Sequence, residues 1–174
     1  MKNTHHKLSL HFTRRTVLLQ SLPCVRVFHL SLYTASVLTA IGMRYYHVPI
    51  AHRSKAWLSL YYFGLQPIVL KSWITSLTLL RNACCHHSRA WNKVSSIMPV
   101  TPRRIAHSWI TLPTNPQRVY FTICIIKYFL DIISPNNDML GKMHTLFSNY
   151  PEINLAALGF PNGWESEPLW AQQM

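Results

Sequence analysis

The chain has 174 residues with 49% hydrophobic content, enough for one ordinary domain with a sizeable core, and this composition excludes global disorder. All 5 acidic residues lie at or after Asp131, whereas 16 of the 17 Lys and Arg precede it, so residues 1–130 carry +16 and residues 131–174 carry −4. A one-signed segment of that length draws polyanions and repels itself, so nucleic acid or an anionic membrane surface is the natural partner class.

Residues 1–15 form a basic head from Met1 through Arg15 without amphipathic period. An apolar tract follows over residues 16–43, interrupted by Pro23, Arg26 and His29. Its cleanest part, residues 27–43, is 17 residues long, the lower limit for a membrane-spanning helix, and a basic head before an apolar run also imitates a secretory signal. Arg26 argues against insertion, because a central Arg costs about 2.5 to 3.5 kcal/mol in a membrane helix. Three readings stand for residues 1–60: a disordered head, a membrane-like segment, or translation of a shifted reading frame, the last suggested by the absence of acidic residues and the scattered His, Arg and Tyr of Arg44-Tyr45-Tyr46-His47 and His52-Arg53-Ser54-Lys55.

From Pro67, whose fixed φ suits a first helical turn, apolar residues recur as Val69, Trp73, Leu77, Leu80 and Cys84. That is the stripe of a 3.6-residue period, and no Gly or Pro interrupts from Ile68 to Met98, so one helix is expected until Pro99 and Pro102 break it. With Leu80 at zero, Arg81 falls at about 100°, Asn82 at about 200°, His86 at about 240°, Arg89 at about 180° and Asn92 at about 120°. These five share the face opposite the stripe. His87 at about 340° and Trp91 at about 20° point back to the packed side.

Arg81 and His86 make an Arg-x-x-x-x-His pair about 7.5 Å apart along the axis. A histidine titrating near neutrality moves protons, and a guanidinium grips a phosphate through paired hydrogen bonds. RNA supplies its own nucleophile, the 2′-OH, so an acid/base residue and a phosphate clamp suffice to cleave it without a metal or cofactor. Asn82, one turn before His86, is placed to orient the imidazole, and Arg89 to add a phosphate contact. An Arg and a His at this spacing recur by chance in many helices. The spacing alone does not select a function.

The wider string Arg81-Asn82-Ala83-Cys84-Cys85-His86-His87-Ser88-Arg89-Ala90-Trp91-Asn92 closely resembles the signature of the abortive-infection (Abi) proteins of the AbiD/AbiF type, within the HEPN superfamily of helical ribonucleases. The family pattern usually has Ala, Leu and Arg where this chain has Cys85, Ala90 and Lys93. A second stretch, Tyr150-Pro151-Glu152-Ile153 with Leu158-Gly159-Phe160-Pro161-Asn162-Gly163-Trp164-Glu165 and Pro168-Leu169-Trp170, resembles the family's terminal Met-Gly-Phe-Pro…Trp…Leu-Trp pattern. On this reading the resemblance covers residues 63–170 and leaves 1–60 unmatched. It implies an all-α HEPN-like bundle over residues 61–174, the C-terminal part of such a protein. It further implies a metal-independent endoribonuclease of phage defence in the cytoplasm, with Arg81 and His86 as the catalytic pair across a homodimer. An antitoxin-like or phage-derived regulator would restrain it. The alternative is a truncated, non-catalytic module that binds RNA or a protein.

Arg103 and Arg104 follow the prolines and are candidates, with Lys93, for RNA phosphates; a solvated corner is the competing account of the two arginines. Residues 111–116 read as a loop, residues 118–134 as a buried helix by length and apolar run, and residues 138–148 as a short helix with Asp138 in its first turn and Gly141 weakening it. The tail is expected as a short turn or helix followed by an extended clasp, with Trp164 and Trp170 as core anchors. The cysteines Cys24, Cys84, Cys85 and Cys124 have no zinc-ribbon spacing, and Cys84-Cys85-His86-His87 radiate around a helix axis, so no metal site and no disulfide framework are expected. No phosphate-binding Gly loop is present in the sequence, which argues against NTP-driven activity.

Overall fold

The computed structural model describes residue 39, residues 52–85 and residues 94–171; the basic head of residues 1–15, the apolar tract of residues 16–43 apart from residue 39, and residues 86–93 lie outside the described residues. Among the described residues every regular element is helical. In chain order they are α1 (His52–Phe63), α2 (Pro67–Cys85), α3 (Val119–Ile133), α4 (Met139–Asn149), α5 (Leu155–Leu158), a 3₁₀ turn (Trp164–Ser166) and α6 (Pro168–Ala171). The all-α expectation holds. No described helix is long and apolar enough to cross a membrane.

The organising element is α3. Ten of its residues, from Tyr120 to Leu130 with Thr122 excepted, are buried, as an apolar helix without a polar face must be. On one side of α3, Trp73 of α2 stacks on Trp109 at 4.6 Å between ring centroids and meets Tyr128 edge-on at 5.3 Å. Phe63 closes the same cluster against Phe129 at 5.4 Å, and the Tyr128 hydroxyl donates to the Phe63 carbonyl over 2.6 Å. On the other side Tyr120 packs on Phe160 at 4.5 Å, and Trp164 meets Trp170 at 5.3 Å. Trp164 and Trp170 are therefore core anchors, as expected. Trp170 donates its indole N–H to the Tyr120 hydroxyl at 3.3 Å, which satisfies the ring's polar atom in a buried place.

The corner between α1 and α2 is tight. Gly64 sits at φ +59, and a Cβ there would stand 2.4 Å from the Ala106 Cβ, so the loop after residue 99 lies directly on this corner. Val100 fixes that loop to α2 twice: its carbonyl accepts the Trp73 indole N–H at 2.9 Å and its amide donates to the Ser72 hydroxyl at 2.9 Å.

Two buried ionic groups hold the rest. Lys127, fully buried, reaches both carboxylate oxygens of Asp131 at 2.5 and 2.6 Å, and Asn137 donates to the same carboxylate at 2.8 Å. Glu167, only 3% exposed, accepts the backbone N–H of Thr111, the Thr111 hydroxyl at 3.1 Å and the Leu112 N–H at 2.8 Å. A residue in the tail thus clamps the loop at 111–116.

Three expectations are corrected. The helix begun at Pro67 does not run to Pro99: the chain is already non-helical at Val94, because the Ser95 amide donates to the Gln117 carbonyl at 2.8 Å and the Gln117 side chain returns a bond to the Ser95 carbonyl at 2.9 Å. A tertiary pairing holds the chain out of helix at Ser95, where no Gly or Pro stands. Asp138 occupies the N-cap of α4 rather than its first turn, without a side-chain capping bond. Its carboxylate lies over Gly141, where an added Cβ would stand 2.3 Å from Oδ1, so this glycine makes room instead of merely weakening the helix. The tail is not an extended clasp but short helical turns, α5, the 3₁₀ turn and α6. Gly159, at φ +90, ends α5 as the Phe160 amide reaches the Leu155 carbonyl and its own amide reaches Ala156, both at 3.0 Å.

Candidate functional site

The functional block begins in the last turn of α2. The stripe that sets its phase is real: Val69, Trp73 and Leu77 are buried and Leu80 is packed against the same core. Leu80 is half-buried, and so are Arg81, Asn82 and Ala83. The side chains of Cys84 and Cys85, and the whole of His86, His87, Arg89, Trp91, Asn92 and Lys93, lie outside the described residues.

Arg81 donates from Nη1 to the Asn82 Oδ1 at 3.2 Å. The neighbouring carboxamide therefore works on the guanidinium, steering a fork that suits a phosphate. Asn82 was expected to orient His86; its described bond is with Arg81.

Beside this turn opens a cleft of about 140 Å³ whose walls are Leu79, Leu80 and Ala83 of α2, Ser95 of the returning chain, and Gln117 and Val119 at the entry to α3. The Ser95 and Gln117 pairing forms its rim. Cys85, the last described residue of α2, and the pairing at Ser95 stand on either side of the stretch carrying His86 in sequence. Arg118, at the N-cap of α3, borders the cleft, and its stem lies against Gly159, where a Cβ would stand 2.5 Å from the Arg118 Cβ.

Arg103 and Arg104 are exposed in a bend. Val100 anchors their loop at Ser72 and Trp73, about 12 Å of helix rise before Arg81, so the structure does not gather them into the Arg81 turn. Residues that sequence reasoning passed over are Ser95, Gln117 and Arg118. Only their tertiary pairing marks them, and no local pattern announces it.

The buried thiol of Cys124 is free, and burial pushes its pKa up, which leaves it an inert core group. Among the described residues no group of three or more His, Cys, Asp or Glu stands where it would hold a metal ion. The cluster Cys84-Cys85-His86-His87 is outside that statement.

A sequence model of the Abi-like protein family matches residues 20–92. The match starts upstream of the boundary expected at residue 60, so residues 20–62 are similar to the family as well as residues 63–92. It ends on Asn92, the last residue of the signature block, and does not extend to the tail stretch with Gly159-Phe160-Pro161. No curated protein matched, and no solved structure did.

Proposed function

We propose that this chain is an Abi-like protein that cleaves RNA without a metal ion, with Arg81 holding the scissile phosphate and His86 moving the protons. The observation that supports it is the family match over residues 20–92, which closes on the block containing both residues. Arg81 stands half-buried at the end of a helix whose opposite face is packed, beside a partner that steers its guanidinium.

The chemistry follows from the residues. His86 takes the proton of the 2′-OH, whose oxygen attacks the adjacent phosphorus. The P–O5′ bond breaks, and the leaving 5′ oxygen receives the proton that His86 has taken up, which returns the imidazole to its starting form. The products are a 2′,3′-cyclic phosphate and a 5′-hydroxyl. Arg81 pairs with the non-bridging oxygens, where negative charge gathers in the transition state. Arg89 and Lys93 extend the grip along the backbone, sequence-independently. In this reading the enzyme belongs to the HEPN superfamily, works as a cytoplasmic homodimer in which two such blocks face each other, and stops growth of phage-infected cells once a regulator releases it.

The test is cleavage of a mixed RNA pool by the purified chain with EDTA present, against Arg81→Ala and His86→Ala. Cleavage that survives chelation, leaves cyclic phosphate ends and disappears in both variants is the expected result. A well-folded wild type that leaves the pool intact overturns the catalytic reading in favour of a module that binds RNA or protein.

A further inference from the structure

The face of α1 away from the core is out of keeping with a surface helix. Trp57, Tyr61 and Tyr62 are 56, 67 and 56% exposed, within six residues of one another. Trp57 and Tyr61 already stack on each other at 4.5 Å and 12°, and Tyr62 stands edge-on to Tyr61 at 5.1 Å. Only one face of each stacked ring is used by the other. More than half of each of the three residues is open to solvent.

The sequence around this aromatic ladder is one-signed, with no carboxylate among residues 1–130. The corner described above adds a tertiary element: Ala106 rests against Gly64, two residues from Tyr62, and Arg104 is two residues from Ala106. Chain geometry therefore holds the exposed Arg103 and Arg104 bend within about 20 Å of the ladder. Lys71, also exposed, lies in the second turn of α2 near the same corner. Stacking faces interleaved with cations are what a flexible single strand needs: bases lie on the rings, and phosphates meet the guanidiniums.

We propose that the α1 ladder of Trp57, Tyr61 and Tyr62, with the Arg103 and Arg104 bend, is a docking platform for single-stranded RNA. It rests on the ribonuclease reading for its substrate class, and it lies away from the Arg81 turn: α2 rises about 21 Å between Pro67 and Arg81. A strand of several nucleotides laid on the platform reaches toward that turn. The platform favours unpaired RNA, because stacking on a side chain requires bases that are free of a duplex.

The test is fluorescence anisotropy of a 5′-labelled oligouridylate in EDTA, with Arg81→Ala as the background so that the probe stays whole. Trp57→Ala and Tyr61→Ala are expected to weaken binding roughly five- to a hundredfold each, with the salt dependence unchanged, and Trp57→Phe to retain most of the affinity. Arg103→Ala with Arg104→Ala is expected to flatten the slope of log affinity against log salt by about 1.4, at about 0.7 per phosphate contact on a single strand. All these side chains are exposed, so unchanged circular dichroism is expected in every variant. Oligouridylate affinity that is untouched by the aromatic variants overturns the platform. So does a fall in sedimentation mass in Tyr61→Ala at constant RNA affinity, which would assign the face to a second copy. Wild-type cleavage is read separately: loss of the platform with cleavage intact, or binding intact without cleavage, tells the two proposals apart.

Discussion

Removing the carboxylate of Glu167 is expected to be among the most damaging single changes to this domain. Its two oxygens accept two backbone amides, of Thr111 and Leu112, and the Thr111 hydroxyl, and the residue is almost fully buried. Glu167→Ala leaves two amides without their acceptor, each at about 1 to 3 kcal/mol, so the expected loss is about 2 to 6 kcal/mol. A domain stable by about 5 to 15 kcal/mol feels this strongly. Glu167→Gln keeps one acceptor oxygen and is expected to lose about half as much. Urea unfolding followed by far-ultraviolet circular dichroism measures both, with the midpoint shifting at constant slope. A loss below about 1 kcal/mol in Glu167→Ala would refute the claim that this carboxylate holds the loop at 111–116.

Lys127→Met strands Asp131 beside only Asn137; because Asp131 is one-quarter exposed, the expected loss is about 2 to 3 kcal/mol, smaller than for a fully buried partner, and Lys127→Met with Asp131→Leu should recover part of it in a double-mutant cycle. Gly64→Ala combines a left-handed φ with a clash on Ala106, and calorimetry should register a loss of about 2 kcal/mol or more. Burial raises the phenol pKa values of Tyr120 and Tyr128. Since the folded values lie above the unfolded one, their contribution is complete below about pH 10 and is lost as pH rises beyond it. Absorbance at 295 nm should therefore show these two phenols ionising only together with unfolding.

Much of the fold is legible in sequence where burial leaves a period or a length. The spacing of Val69, Trp73 and Leu77 gives the packed face of α2, and the unbroken apolar run through Tyr128 and Phe129 gives α3. The large rings at Trp164 and Trp170 announce themselves as anchors. α1 escaped because its apolar residues, Trp57, Leu60, Tyr61 and Phe63, surround the axis without a period. The non-helical chain at Val94 and Ser95 escaped because Ser95 is claimed by Gln117, twenty-two positions away. Glu167 escaped for the same reason on a larger scale, its partners lying 55 and 56 positions upstream. At the site, helical phase puts Arg81 opposite the packed stripe and the structure finds it half-buried, whereas the cleft wall at Ser95 and Gln117 arises only when separate segments meet.

The aromatic closure of α3 has a consequence for how the protein comes into being. Tyr120 finds its cover in Phe160 and Trp170, forty and fifty positions further along the chain. The loop beside the cleft waits on Glu167 in the same way. During synthesis the α2 and α3 segments therefore precede the residues that seal them, and contacts this distant in sequence form slowly. Arg118, which borders the cleft, lies against Gly159, so this part of the cleft wall is complete only once the tail has packed onto α3.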